Sequence, residues 1–170
     1  LTSDIQSVTN NQCYSDRKGI IDINVAGGTP PYAYNWSDGS KTQDIANVPA
    51  GEFMVQIIDN NMCVDSLSVS VTQPEMLQVS AQEVDDIKCF GNAEGNINIE
   101  VTGGTEPYAN IWSNGANTRD LTGIIAGAYN LKVTDAKGCN QMLDVRVAEP
   151  PVLESNIANV VDVKCKGDST

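Results

Sequence analysis

Five cysteines carry most of the reactive chemistry in this chain, and their spacing is regular. Cys13 and Cys63 lie 50 residues apart, as do Cys89 and Cys139, and the step from Cys13 to Cys89 to Cys165 is 76 residues each time. Equal spacing predicts one disulfide in each segment, Cys13 with Cys63 and Cys89 with Cys139. Cys165 is then left single as the first member of a further pair. Closing a loop of that size is worth about 4 kcal/mol on the chain-entropy account. Paired cysteines in every segment point to an oxidising compartment: periplasm, cell surface or outside the cell.

Other side chains recur at the same step. Asp44 and Asp59 return as Asp120 and Asp135, and carboxylates are the oxygen ligands that calcium takes. The loops lack an EF-hand or a nonapeptide calcium repeat, and Asp ahead of Asn-Asn or Ala-Lys-Gly also serves as a turn residue bonding its own backbone. Calcium is the one cofactor the sequence raises. Trp36 and Trp112, with Tyr32, Tyr34 and Tyr108, offer either core filling or a platform on which a sugar ring stacks. Histidine is absent, which removes the commonest general base, the Ser-His and Cys-His nucleophile pairs and most zinc sites. The chain reads as non-enzymatic.

These residues sit in a repeat. GGTPPYAYNWSDG, residues 27–39, returns as GGTEPYANIWSNG, residues 103–115, at an offset of 76 without a gap. A fixed period of this length marks an array of like units. The units are expected at 1–75 and 76–151, with 152–170 the opening strand of a truncated third. Within each unit, period-2 alternation places strands at 1–8 and 77–84, at Ile21-Ile23-Val25 and Ile97-Ile99-Val101, at Phe53-Val55-Ile57 and Tyr129-Leu131-Val133, and at Leu67-Val69-Val71 and Leu143-Val145-Val147. A strand at residues 32–36 ends in the Ser-Asp-Gly turn, and residues 40–49 read as irregular. No helical period appears. The fold class is all-β: tandem immunoglobulin-like antiparallel β-sandwich repeats with a period of 76 residues. Pro74 and Pro150 stiffen the joints, so units should stand end to end. Residues 155–163 are expected to form a strand that adds to an exposed sheet edge.

The net charge is −12, from 22 acidic and 10 basic residues. That argues against nucleic acid as a partner, since phosphate binding needs a basic face, and against direct contact with an anionic membrane. LTSDIQSVTN at the start has neither the basic opening nor the apolar middle of a signal peptide, and the chain reads as an internal segment.

The run GGTPPYAYNWSDG, then AGEFMVQIIDNNMC, then a strand ending in Gln-Pro resembles the SprB repeat family. The second copy, with AGAYNLKVTDAKGC, fits the latter half better; the first departs at Met62, where the family has Gly. The resemblance implies a segment of a very large repetitive adhesin of gliding Bacteroidetes, exported by the type IX system and moved along the cell surface by the gliding machinery. It implies a cell-surface or extracellular location. Its partners would be a surface polysaccharide or solid substratum and neighbouring repeats of the same chain. A carbohydrate-binding accessory module of a secreted protein is the alternative. Asp65-Ser66-Leu67 and Asp168-Ser169-Thr170 also resemble the short O-glycosylation signal of these bacteria, making Ser66 and Ser169 candidate acceptors. Asn35-Trp36-Ser37 is an N-glycosylation triplet, set beside a core candidate.

Overall fold

The computed structural model describes residues 1–159. Among these there is no helix; twelve strands fall into two sets of six. The first set is β1 (Thr2–Thr9), β2 (Gly19–Ala26), β3 (Ala33–Trp36), β4 (Ile45–Val48), β5 (Gly51–Ile58) and β6 (Val64–Val71). The second is β7 (Gln78–Asp85), β8 (Gly95–Thr102), β9 (Ala109–Trp112), β10 (Leu121–Ile124), β11 (Gly127–Thr134) and β12 (Asn140–Val147). Each set makes two three-stranded antiparallel sheets: β1-β2-β4 with β3-β5-β6, and β7-β8-β10 with β9-β11-β12.

Period-2 alternation builds the core. Ile21 and Ile23 of β2 and Val55 and Ile57 of β5 are fully buried, and with Trp36, Phe53, Val69 and Val71 they form one cluster. Their counterparts Ile97, Ile99, Leu131 and Val133 form the second, with Trp112, Tyr129 and Val147. A side chain so buried contributes roughly 1.5–3 kcal/mol of transfer free energy. Alternation fades where the sheet stops facing a partner: Leu77 is buried, Val79 half-buried and Ala81 exposed. There β7 carries a register shift between Ala81 and Glu83, as β1 does between Ile5 and Ser7.

Residues 40–49, expected to be irregular, contain a strand. Ile45 and Val48 are both buried although they are three apart, a spacing no regular strand can put on one face. A bulge reconciles them. Val48 pairs with Gly19 and Ala46 with Ile20, so Asn47 is the extra residue, at φ 59°. In the second unit Gly123 takes the same place at φ 64°. The expected strand at 155–163 is absent through Asn159, which is exposed chain without regular structure; its remainder lies outside the described residues. Also, β7 pairs with β8 rather than completing the first unit. The bend after each glycine pair carries a cis peptide bond, at Pro30-Pro31 and Glu106-Pro107.

The course of the strands fixes which loops share a pole. At the C-terminal pole of the first unit, the β1–β2 loop is tied to the outgoing chain: the Asn11 N–H donates to the Thr72 carbonyl at 3.0 Å, and the Ser15 N–H to Oε1 of Gln73 at 2.8 Å. At the N-terminal pole, the β5–β6 turn is tied to the glycine-pair turn: the Asn60 N–H donates to the Thr29 carbonyl at 2.8 Å. Gly28, beside Leu1 and Asp59, sits at that pole too.

Because the two cores are separate clusters, a cavity in one should spare the other. Leu131→Ala should cost the second unit about 2–5 kcal/mol. Calorimetry should then show an early transition for that unit, with the first unit's transition unmoved.

Candidate functional site at the joint between units

The four recurrent aspartates are held by backbone, not poised for a cation. One carboxylate oxygen of Asp59 accepts the Asn61 and Cys63 N–H groups, each at 2.9 Å, and the other accepts the Thr29 N–H at 2.9 Å. Asp135 repeats the arrangement with Lys137, Cys139 and Thr105. Both side chains are buried. Three N–H donors on a buried carboxylate satisfy it as a cation would and tie two turns into one unit. Asp44 accepts the Ile23 N–H at 2.9 Å and Asp120 the Ile99 N–H at 2.8 Å, closing β2 and β8 beyond the reach of the short strands β4 and β10. Among the described residues no group of three or more His, Cys, Asp or Glu is placed to hold a metal, and Asp44, Asp59, Asp120 and Asp135 each bond backbone N–H groups of turns or strands. The Thr29 N–H, ahead of the Cys63 and Asn61 N–H groups, holds the Asp59 carboxyl below the usual aspartate range against the opposing effect of burial.

The tryptophans are core residues. Trp36 is 4 % and Trp112 2 % exposed, which leaves no indole face for a sugar. Each indole N–H reaches a carbonyl inside its own unit, Thr42 at 2.9 Å and Thr118 at 3.0 Å, so burial costs no unpaired donor. Tyr32 and Tyr108 donate to the Gly27 and Gly103 carbonyls at 2.7 and 2.6 Å, and Tyr34 donates to Gln43. Ser66 is exposed on β6, opposite Gln56; Cys165 and Ser169 lie outside the described residues.

The cysteines meet between the units, not within them. Cys13 is bonded to Cys139, with Cα atoms 5.6 Å apart and 126 residues between them in sequence. Cys63 and Cys89 are free and exposed. Neither expected bond, Cys13–Cys63 or Cys89–Cys139, forms, and the reason is the pole each loop occupies. Eight-residue strands separate the poles by about 26 Å at roughly 3.3 Å per residue, whereas bonded cysteines need Cα atoms within about 7 Å. Stacking the second unit on the first brings its β11–β12 turn to the β1–β2 loop. Tyr14, Met76, Leu77 and Gly138 line a hollow beside the bond. The glycine pair of the second unit also abuts the connecting segment. The Gly104 N–H donates to the Glu75 carbonyl at 2.9 Å, and a Cβ on Gly103, at φ 67°, would lie 2.0 Å from the Met76 carbonyl oxygen. Only glycine fits there. Met62 takes φ 67° in the turn where Gly138 takes 85°, so the first unit accommodates its departure from glycine with a left-handed methionine.

The SprB repeat family matches residues 5–41 and 81–117, two segments that start 76 residues apart. No curated protein matches the chain. Among solved structures it is similar to the C-terminal 282-residue fragment of intimin in complex with the intimin-binding domain of the translocated intimin receptor. The identity is 11 %, covering 85 % of this chain and 64 % of that one, at a TM-score of 0.46. It is also similar to the two Ig domains of DIP-gamma (10 %, 87 % and 97 %, 0.43) and to the N-terminal eight Ig domains of Down Syndrome Cell Adhesion Molecule (12 %, 86 % and 24 %, 0.44). At these scores the likeness carries no argument about this chain.

Two outcomes check this geometry. Peptide mapping without reduction should recover Cys13 linked to Cys139, with Cys63 and Cys89 alkylated beforehand; a Cys13–Cys63 pair would refute it. Asp59→Asn should lower the melting temperature of the first unit at neutral pH, because the new amide turns N–H donors toward N–H donors. The Asp59 carboxyl is depressed in the folded state, so its contribution is complete above the ordinary aspartate value of about 3.9 and is lost as pH falls through the folded value. The melting temperature of the variant should therefore fall less steeply below pH 4 than that of the native protein.

Proposed function

We propose that this chain, which carries two SprB repeats, is a non-catalytic segment of an extracellular adhesin. Sandwich units at 1–75 and 76–151 would form a stalk that also presents the adhesive surface. The observation that supports this most directly is the Cys13–Cys139 bond. It fastens the C-terminal pole of one unit to the N-terminal pole of the next, beside the peptide connection, so a pull along the array is borne at the joint by two covalent paths. An enzyme gains nothing from such a joint; a tether does. The net charge of −12 keeps neighbouring stalks apart and soluble.

The finer reading follows the family resemblance. The parent protein would be a gliding adhesin of the SprB type, exported by the type IX system, moved by the gliding machinery and gripping a surface polysaccharide or solid substratum. Exposed Ser66 would be its O-glycan acceptor. The carbohydrate-module alternative depends on an exposed aromatic platform, and Trp36 and Trp112 are not exposed.

Antibodies raised against the chain should label intact, unpermeabilised cells that make the parent protein and should reduce their attachment to glass. Labelling only after permeabilisation would overturn the surface location, and labelling without loss of attachment would overturn the adhesive role.

A further inference from the structure

Among the described residues, the two free cysteines, Cys63 and Cys89, occupy positions equivalent to those of the two bonded ones. Cys89 sits in a loop built like that of Cys13: the Asn92 N–H donates to its carbonyl at 3.1 Å, as the Asp16 N–H does to that of Cys13 at 3.2 Å. The loops are anchored alike, Ile87 to Ala148 as Asn11 to Thr72, and Gly91 to Glu149 as Ser15 to Gln73. Cys63 likewise matches Cys139, each carbonyl accepting from its aspartate N–H at 3.0 and 2.9 Å and each N–H bound to that aspartate's carboxylate.

The surroundings repeat as well. Beside Cys89, Phe90, Pro150, Pro151, Val152 and Leu153 line a groove of about 540 Å³, at the positions that correspond to Tyr14, Pro74, Glu75, Met76 and Leu77 of the occupied joint. Phe90 and Val152 are half exposed and Leu153 is 97 % exposed, while Leu77, its counterpart, is buried in the second unit's core. An apolar groove that carries a thiol, and whose counterpart 76 residues earlier holds a following unit, is shaped for a following unit.

We propose that the bond between units is a rule of the array: the first cysteine of each repeat joins the second cysteine of the next. Cys89 with the groove at Phe90 and Val152 is then the docking surface for a further copy of the repeat, and Cys63 is the matching contact offered to a preceding copy. Each junction forms one S–S bond from two thiols, giving up two electrons and two protons to the thiol-disulfide exchange or oxidant that forms such bonds in an extracytoplasmic compartment. This depends on the repeat geometry rather than on adhesion, so it can fail or hold independently of the surface role.

The test is a chain lengthened by a second copy of residues 77–152 inserted after Val152. Disulfide mapping should keep Cys13–Cys139 and add a bond from Cys89 to the second cysteine of the new copy, with complete loss of Cys89 alkylation while Cys63 stays reactive. A bond within the new copy, or a Cys89 that remains alkylatable in the folded protein, overturns the proposal. The 170-residue chain supplies a second measurement in a Cys165→Ser background. Mild oxidation of mixed Cys63→Ser and Cys89→Ser proteins should give Cys89-to-Cys63 dimers in excess over the homodimers of either protein alone. Homodimers in equal yield would count against head-to-tail docking.

Discussion

Strand length sets the terms for everything else in this molecule. Eight extended residues carry the chain from one pole of a unit to the other, and Cys13 and Cys63 lie at opposite poles. The two cysteines of a unit are therefore kept apart by the same backbone ladders that hold its sheets together. Thiols that cannot meet inside a unit are available to join units. A domain of about this size usually gains stability from a staple across its own thin core; here each core stands on its packed isoleucines, valines and tryptophan, and the staple lies across the joint.

The buried aspartates show how the poles are kept in shape. A turn next to a joint exposes backbone N–H groups that no strand can pair. Asp59 and Asp135 each gather three of them, from two turns far apart in sequence. The N–H of Cys63 and that of Cys139 are among the three, so the carboxylate that shapes the turn also orients its cysteine, which in the second unit is the one bonded to the first unit. Turn geometry and joint geometry are one set of hydrogen bonds.

Most of the fold could be read from alternation and the 76-residue step: the strands, their inward faces and the all-β sandwich. The short strands β4 and β10 could not, because the bulge at Asn47 and Gly123 breaks the period on which strand reading relies. The cysteine pairing was misread for a related reason. Equal spacing says that two residues are equivalent from unit to unit; it says nothing about which pole each occupies. That information lies in strand direction: β2 and β5 run toward the pole of Cys63, while the short β3 and β4 both run back the other way and together make only one return, which leaves Cys13 and Cys63 at opposite poles. The aspartates were legible as recurrent turn residues, while their third donor, from Thr29 or Thr105, is a contact across about 30 residues that no local pattern announces.

The Cys13–Cys139 bond also turns most of the chain into a closed ring. A single cut by a protease anywhere between those two cysteines, in either sandwich or in the Pro74 connection, leaves both fragments covalently attached. Separating the two ends there takes a cut and a reductant together, because a second cut only releases the segment between the two cuts while the disulfide still joins the ends. A nick in a surface loop within this ring therefore leaves the chain joined.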